Sequence, residues 1–173
     1  MLHLHLLRHS NAEDLPPTGS TEDSDRRLTE DGRLKARQIG TALGRLGLVF
    51  DLILASPALR TRQTAELVSA RWRPRPPLEF QEDLRIGGDA FRVIQRLSRR
   101  KTHGDRSVLV VGHEPELGRL ASRLLSGTPD LSITFKKGSV CRLSIERVTS
   151  GPCATLEWLW TPGPLRRLGG WKG

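Results

Sequence analysis

Tyrosine is absent from this chain of 173 residues, phenylalanine occurs four times and cysteine only twice. Two thiols, Cys141 and Cys153, exclude a disulfide scaffold and a cysteine-based zinc site, and both are expected reduced and partly buried. No apolar run approaches the roughly 20 residues that a bilayer span requires. The N-terminal stretch MLHLHLLRHS is too short for a signal h-region and lacks a small-residue cleavage site. A cytoplasmic protein with no membrane partner is the expectation. A glycine-rich nucleotide loop is missing, and so is a carboxylate cluster suited to Mg²⁺, so neither a cofactor nor a metal is expected. With 36% hydrophobic and 27% charged residues, the composition fits neither collagen nor a wholly disordered chain, and the length suits one domain.

Lys and Arg number 28 against 19 Asp and Glu, a formal net charge of +9. Such a balance invites a nucleic-acid reading, but its distribution argues against one. Residues 10–31 are acidic, with Glu13, Asp14, Glu22, Asp23, Asp25, Glu30 and Asp31 against Arg26 and Arg27. The positive excess lies mostly between residues 60 and 106 and in the tail, and few aromatics interleave to stack bases. No nucleic-acid partner is expected. An Arg-rich solvated surface accounts for the charge, and attraction of an anionic substrate is compatible with it.

Along the chain, apolar runs alternate with helical periodicities. LHLHLL at 2–7 reads as a strand ending at Arg8-His9, followed by a polar loop over 13–27 that contains Pro16, Pro17 and Gly19. Thr29 caps a helix carrying Ala36, Ile39, Leu43 and Leu46, which Gly47 closes. VFDLILA at 49–55 is a second strand, ending at Ser56-Pro57, and a helix follows over 58–72. RPRPP at 73–77 is a loop and residues 89–100 form a third helix. SVLVV at 107–111 is a core strand running into Gly112-His113, and Leu117, Leu120, Ala121, Leu124 and Leu125 mark a fourth helix ended by Gly127. The period then switches to two over 140–146 and 154–160, a strand pair joined by a Gly-Pro turn. The pattern predicts a three-layer α/β/α sandwich with a mostly parallel central sheet, helices on both faces and one edge extended by the C-terminal pair. The domain is expected over 1–162, with 163–173 a Gly- and Arg-rich tail.

Ligands of open α/β sheets bind beyond the carboxyl ends of the strands. Three such ends deliver Arg8 and His9; Ser56, Pro57 and Arg60; and Gly112, His113 and Glu114. Two guanidiniums and two imidazoles in one crevice suit a tetrahedral dianion, since arginine presents a fixed fork of donors to phosphate oxygens and histidine accepts a phosphoryl group. His3 and His5 alternate with leucines on the first strand; without a third ligand they read as partly buried strand histidines. His103 reads as solvated, and Trp158 and Trp160 as packing residues.

RHS at 8–10, RRLTEDG at 26–32, SPALRTRQT at 56–64 and VLVVGHEPEL at 108–117 resemble the histidine phosphatase superfamily, whose signature is an Arg-His pair after the first strand. The short length, LRIGGD at 84–89 and GHEP running straight into a helix resemble its SixA-type phosphohistidine phosphatases. Ser10 stands where glycine is commoner. The resemblance implies that His9 is the nucleophile and that Arg8, Arg60 and a protonated His113 hold the phosphoryl oxygens. It implies a metal-independent phosphatase, acting on phosphohistidine of a partner protein. A small-molecule phosphomonoester phosphatase and a non-catalytic phosphate- or nucleic-acid-binding module are the alternatives. Glu82 and Asp83 lie where relatives place a general acid, and also read as loop-surface carboxylates. No stretch is long enough for a separate lid, so an open, shallow site is expected.

Overall fold

The computed structural model describes residues 1–15, 22–99 and 104–170. The expectations for Pro16, Pro17, Gly19 and His103 lie outside these residues. One mixed six-stranded sheet runs in the order β3-β2-β4-β1-β5-β6. Its strands are β1 (Leu2–Arg8), β2 (Leu52–Ala55), β3 (Leu78–Phe80), β4 (Arg106–Gly112), β5 (Val140–Ile145) and β6 (Ala154–Trp160). β1, β2, β3 and β4 are parallel, while β5 and β6 join antiparallel and extend one edge. Among the described residues five α-helices complete the fold: α1 (Glu30–Arg45), α2 (Leu59–Ser69), α3 (Ala90–Arg99), α4 (Glu116–Ser126) and α5 (Pro162–Leu168).

Alternation along β1 sets the two layers. Leu4 and Leu6 point into a cluster with Phe91, Ile94, Leu120 and Leu124 of α3 and α4. Leu7 points the other way, into a cluster with Ile39, Leu43, Val68 and Leu165 of α1, α2 and α5. β4, sandwiched between β1 and β2, is apolar on both faces, as a central parallel strand must be. The Thr29 hydroxyl accepts the Gly32 N–H at 3.0 Å, capping α1 as expected. The first turn of that helix lies so close to the β1–α1 loop that a Cβ on Gly32 would fall 2.0 Å from the Asn11 carbonyl oxygen.

Three features depart from the sequence reading. β2 begins at Leu52, because Asp51 turns its carboxylate to the Ser107 N–H and Val49 is solvent-exposed. β3 is only three residues long, too short to show a period, and pairs with β2 at the sheet edge. The expected tail from 163 is corrected: Pro162 starts α5, whose Leu165 is fully buried against α1. Proline at the first helical position is preorganised for a helix, and Arg166 Nε donates to Gln38 Oε1 at 2.7 Å to hold it there. Residues 171–173 of that tail lie outside the described residues. Both cysteines are free, Cys141 buried and Cys153 half-buried. Trp158 and Trp160 pack against the α1 layer, as expected. No helix among the described residues is long and apolar enough to cross a membrane.

Candidate active site

Register alone assembles the cluster. Arg8 pairs with Gly112 across β1 and β4, and Ala55 pairs with Val111 across β2 and β4. The residues one step beyond, His9, His113 and Ser56, therefore leave three adjacent strands side by side, with strands about 4.8 Å apart. Their exits are fixed by backbone bonds, His9 N–H to Gly112 O at 3.0 Å and Ser56 N–H to Val111 O at 3.0 Å. The His9 and His113 rings lie 5.3 Å apart between centroids. Arg60, the second residue of α2, is buried and its charge acts on both imidazoles, as does that of Arg8.

His9 is held in one tautomer. Its Nδ1–H donates to the Ser10 carbonyl at 2.7 Å, so Nε2 carries the lone pair. Burial lowers its pKa to about 3, with the nearby His113, Arg60 and Arg8 adding to the fall against the pull of the Ser10 bond. The ring is neutral at physiological pH. Ser10 anchors the turn from within: its N–H donates to Thr64 Oγ1 at 3.1 Å and its hydroxyl to the Gly32 carbonyl at 2.8 Å. The hydroxyl that replaces the commoner glycine thus ties the turn to α1.

His113 Nε2 lies 2.9 Å from Ser56 Oγ, which also accepts the Ala58 N–H at 3.3 Å. The Ser56 hydroxyl can donate to Nε2 or accept from it; in the tautomer in which it donates, the His113 proton sits on Nδ1. Burial, then Arg60, lowers the His113 pKa to about 4, while Asp23 pulls upward and Arg8 and Arg85 downward. The standing imidazolium expected from the sequence is corrected: burial and two fixed guanidiniums outweigh the pull of Asp23 and keep this ring neutral at neutral pH, and the charge of an incoming dianion would raise its pKa.

The arginines are braced from loops. Arg8 Nη1 donates to the Phe135 carbonyl at 2.6 Å, in the segment leading to β5. Arg60 Nη2 donates to Asp23 Oδ2 at 2.7 Å and its Nη1 to the Asp23 carbonyl at 2.5 Å. Arg8 Nε, Arg60 Nε and His113 Nδ1 are buried and have no hydrogen-bond partner among the described residues. Two unpartnered guanidinium donors and an unpartnered imidazole nitrogen on neighbouring residues are what an oxyanion site presents.

Glu82 and Asp83 face other partners. Glu82 is bound to Arg85 Nε at 2.5 Å and Asp83 to Arg96 at 2.6 Å, and the Glu82 side chain is 77% exposed. Glu114 is half-buried, and burial raises its pKa despite the opposing charge of Arg8 and a bond from the Gly118 N–H. His9, Arg60 and His113 are buried, at only 6%, 2% and 1% exposed. The 3-10 turn at Asp23–Asp25 lies over Arg60 and walls that side. Among the described residues no group of three or more His, Cys, Asp and Glu is placed to hold a metal ion. His3 and His5 stay structural; His5 is buried between Phe50 and Trp158. Sequence reasoning missed Asp23, the Ser56 contact to His113 and the Phe135 carbonyl. The first lay in view as one acid of an acidic loop, but nothing local singled it out.

An α/β sheet whose central strand ends gather two histidines and two arginines defines a phosphoryl-transfer enzyme. The chain belongs to the histidine phosphatase superfamily, and it is a phosphatase: the family described as "Histidine phosphatase superfamily (branch 1)" matches residues 4–85. The phosphohistidine phosphatase SixA of Escherichia coli (strain K12) is 27% identical over 166 residues, spanning 95% of this chain and 97% of that protein. A solved structure of the protein histidine phosphatase SixA complexed with tungstate superposes with a TM-score of 0.79 at 28% identity, covering 94% of this chain and 99% of the other. An uncharacterized protein of Picosynechococcus sp. is 34% identical over 142 residues, 82% of this chain and 84% of its own length.

Proposed function

We propose that this chain is a metal-independent phosphatase that works through a phosphohistidine at His9, and that its substrate is phosphohistidine on another protein. One observation carries the mechanism: the Nδ1–H of His9 is committed to the Ser10 carbonyl at 2.7 Å, which leaves a neutral, buried Nε2 as the nucleophile. Arg8 and Arg60 hold the phosphoryl oxygens, and His113 donates its Nδ1–H to them, oriented through Nε2 by Ser56. Positioning and oxygen-charge neutralisation are most of what phosphoryl transfer asks of a protein. Water then attacks phosphorus, the P–Nε2 bond breaks and its electron pair returns to His9. The similarity to SixA over nearly the whole chain supports the choice of substrate.

The recessed floor favours a second reading, a phosphatase of small phosphomonoesters, because walls around the phosphate suit small substrates. A panel of phosphohistidine protein, free phosphohistidine, sugar phosphates and polyphosphate separates the two by kcat/KM. A tenfold advantage for a sugar phosphate would hand the function to the second reading. For the mechanism, His9→Ala is expected to lose turnover by orders of magnitude while keeping wild-type circular dichroism. A folded His9→Ala variant with full activity would refute it.

A further inference from the structure

We infer that Asp23 makes this site selective for a nitrogen leaving group, by accepting the distal N–H of the phosphorylated imidazole and balancing the charge that this ring carries until the P–N bond breaks. The inference rests on the proposed phosphohistidine reading and deepens it.

Asp23 sits where a phosphate site has least use for a carboxylate. Its Oδ2 is 2.7 Å from Arg60 Nη2 and its Oδ1 is 2.9 Å from Arg26 Nη1. Its charge reaches His113. Burial works against the anion, but the bonds from Arg26 and Arg60 outweigh it and hold the Asp23 pKa below its ordinary value. A permanent negative charge therefore stands beside the position of a phosphoryl dianion. Bracing Arg60 does not use the carboxylate up. The side chain is 42% exposed, whereas the Arg60 it braces is 2% exposed, so Asp23 stands on the solvent side of that guanidinium. A carboxylate oxygen has capacity for more than one bond.

The chemistry of the leaving group gives that charge a task. In phosphohistidine the ring that bears phosphorus on one nitrogen can carry a proton on the other. The His9 Nε2 lone pair forms the new P–N bond as the old one breaks, and the electron pair of the broken bond returns to the departing nitrogen. The ring leaves as neutral imidazole, keeping its distal N–H, and takes no proton from the enzyme. The transfer runs between two imidazoles, so its two ends have the same needs. At the enzyme's end the distal N–H of His9 rests on the Ser10 carbonyl. At the substrate's end the matching acceptor is Asp23, which shares Arg60 with the phosphoryl group and so lies within about two hydrogen bonds of it. An ionised carboxylate stabilises a protonated ring and opposes an oxygen leaving group, on which negative charge builds. The site thus discriminates by the charge of what departs, and it manages without Glu82 or Asp83 as an acid.

The test measures kcat/KM for phosphohistidine and for p-nitrophenyl phosphate in wild type, Asp23→Asn, Asp23→Glu and Arg60→Ala. Asp23→Asn is expected to lower the ratio of phosphohistidine to aryl phosphate turnover tenfold or more, and Asp23→Glu to recover part of it. Arg60→Ala supplies the signature of a lost phosphate clamp, a fall on both substrates together. If Asp23→Asn gives that parallel fall, or leaves the ratio unchanged, the carboxylate only braces Arg60 and the inference is overturned. Should Asp23→Asn misfold by circular dichroism, Asp23→Ser is read in its place by the same ratio. A wild type that hydrolyses the aryl phosphate but not phosphohistidine overturns the substrate reading, and the inference with it.

Discussion

The two arginines reach the cluster by different routes, and that difference sets what their removal should do. Arg8 is the last residue of β1, half-buried, and braced by one bond to the Phe135 carbonyl. Arg60 is 2% exposed and braced twice by Asp23. Each loses a charge-assisted bond to an oxyanion on truncation, worth about 1.5–3 kcal/mol. Arg8→Ala and Arg60→Ala are both expected to weaken vanadate or tungstate binding by that amount in titration calorimetry. Arg60→Ala should cost more, because it also strands the Asp23 carboxylate. Unchanged oxyanion affinity in both variants would separate the arginines from a common site. These two residues were legible in the sequence, since each follows a recognisable strand end at short range. Asp23 was not: it meets Arg60 across 37 residues of chain, through a loop whose composition said only that it was polar and acidic.

At the scale of elements, the site depends on how closely α1 approaches the loop that leaves β1. Gly32 occupies the first turn of α1, its position for a Cβ is 2.0 Å from the Asn11 oxygen, and its own carbonyl receives the Ser10 hydroxyl. Gly32→Ala forces a methyl group into backbone that cannot rotate away, so α1 and the Ser10 turn must part. The expected cost is about 3 kcal/mol of stability, read as a lowered unfolding midpoint in urea. A loss of kcat should accompany it, because the same turn holds the Nδ1–H of His9. A variant with unaltered midpoint and rate would show that the contact is slack. Most elements could be read from the sequence for a physical reason: buried parallel strands are runs of Leu, Ile and Val, and α1, α3 and α4 show one apolar face. The unread ones lack such a signal. β3 has three residues, and α5 hides in a stretch of Pro, Gly and Arg where only Leu165 faces the core.

Over the whole molecule, three histidines are folded away in neutral form, and stability should follow their titration. Burial lowers His5 from 6.5 to about 4, His9 to about 3 and His113 to about 4. Each takes up a proton near pH 6.5 when the chain unfolds but resists protonation in the fold. Between about pH 4 and 6.5 the unfolded state therefore binds more protons, and the stability of the fold rises with pH across that window and falls as the solution is acidified. From pH 6 to pH 5 each such histidine should cost on the order of 1 kcal/mol. Asp23, whose pKa is lowered, loses its contribution only at more acid pH, as it protonates. Glu114 runs the other way, since burial holds its pKa up and its contribution fades as pH rises. His5 isolates the effect because it is remote from phosphate chemistry: it is 1% exposed and it touches Phe50 and Trp158. His5→Leu keeps an apolar filling of similar volume and removes the titrating group. In phosphate-free buffer, urea midpoints are expected to fall from pH 7 to pH 5 in wild type and to fall by about a third less in His5→Leu. Equal slopes in the two proteins would mean that His5 protonates as easily in the fold as in the unfolded chain, and that its burial is relieved by local opening rather than sustained by the packing of β1 against Phe50.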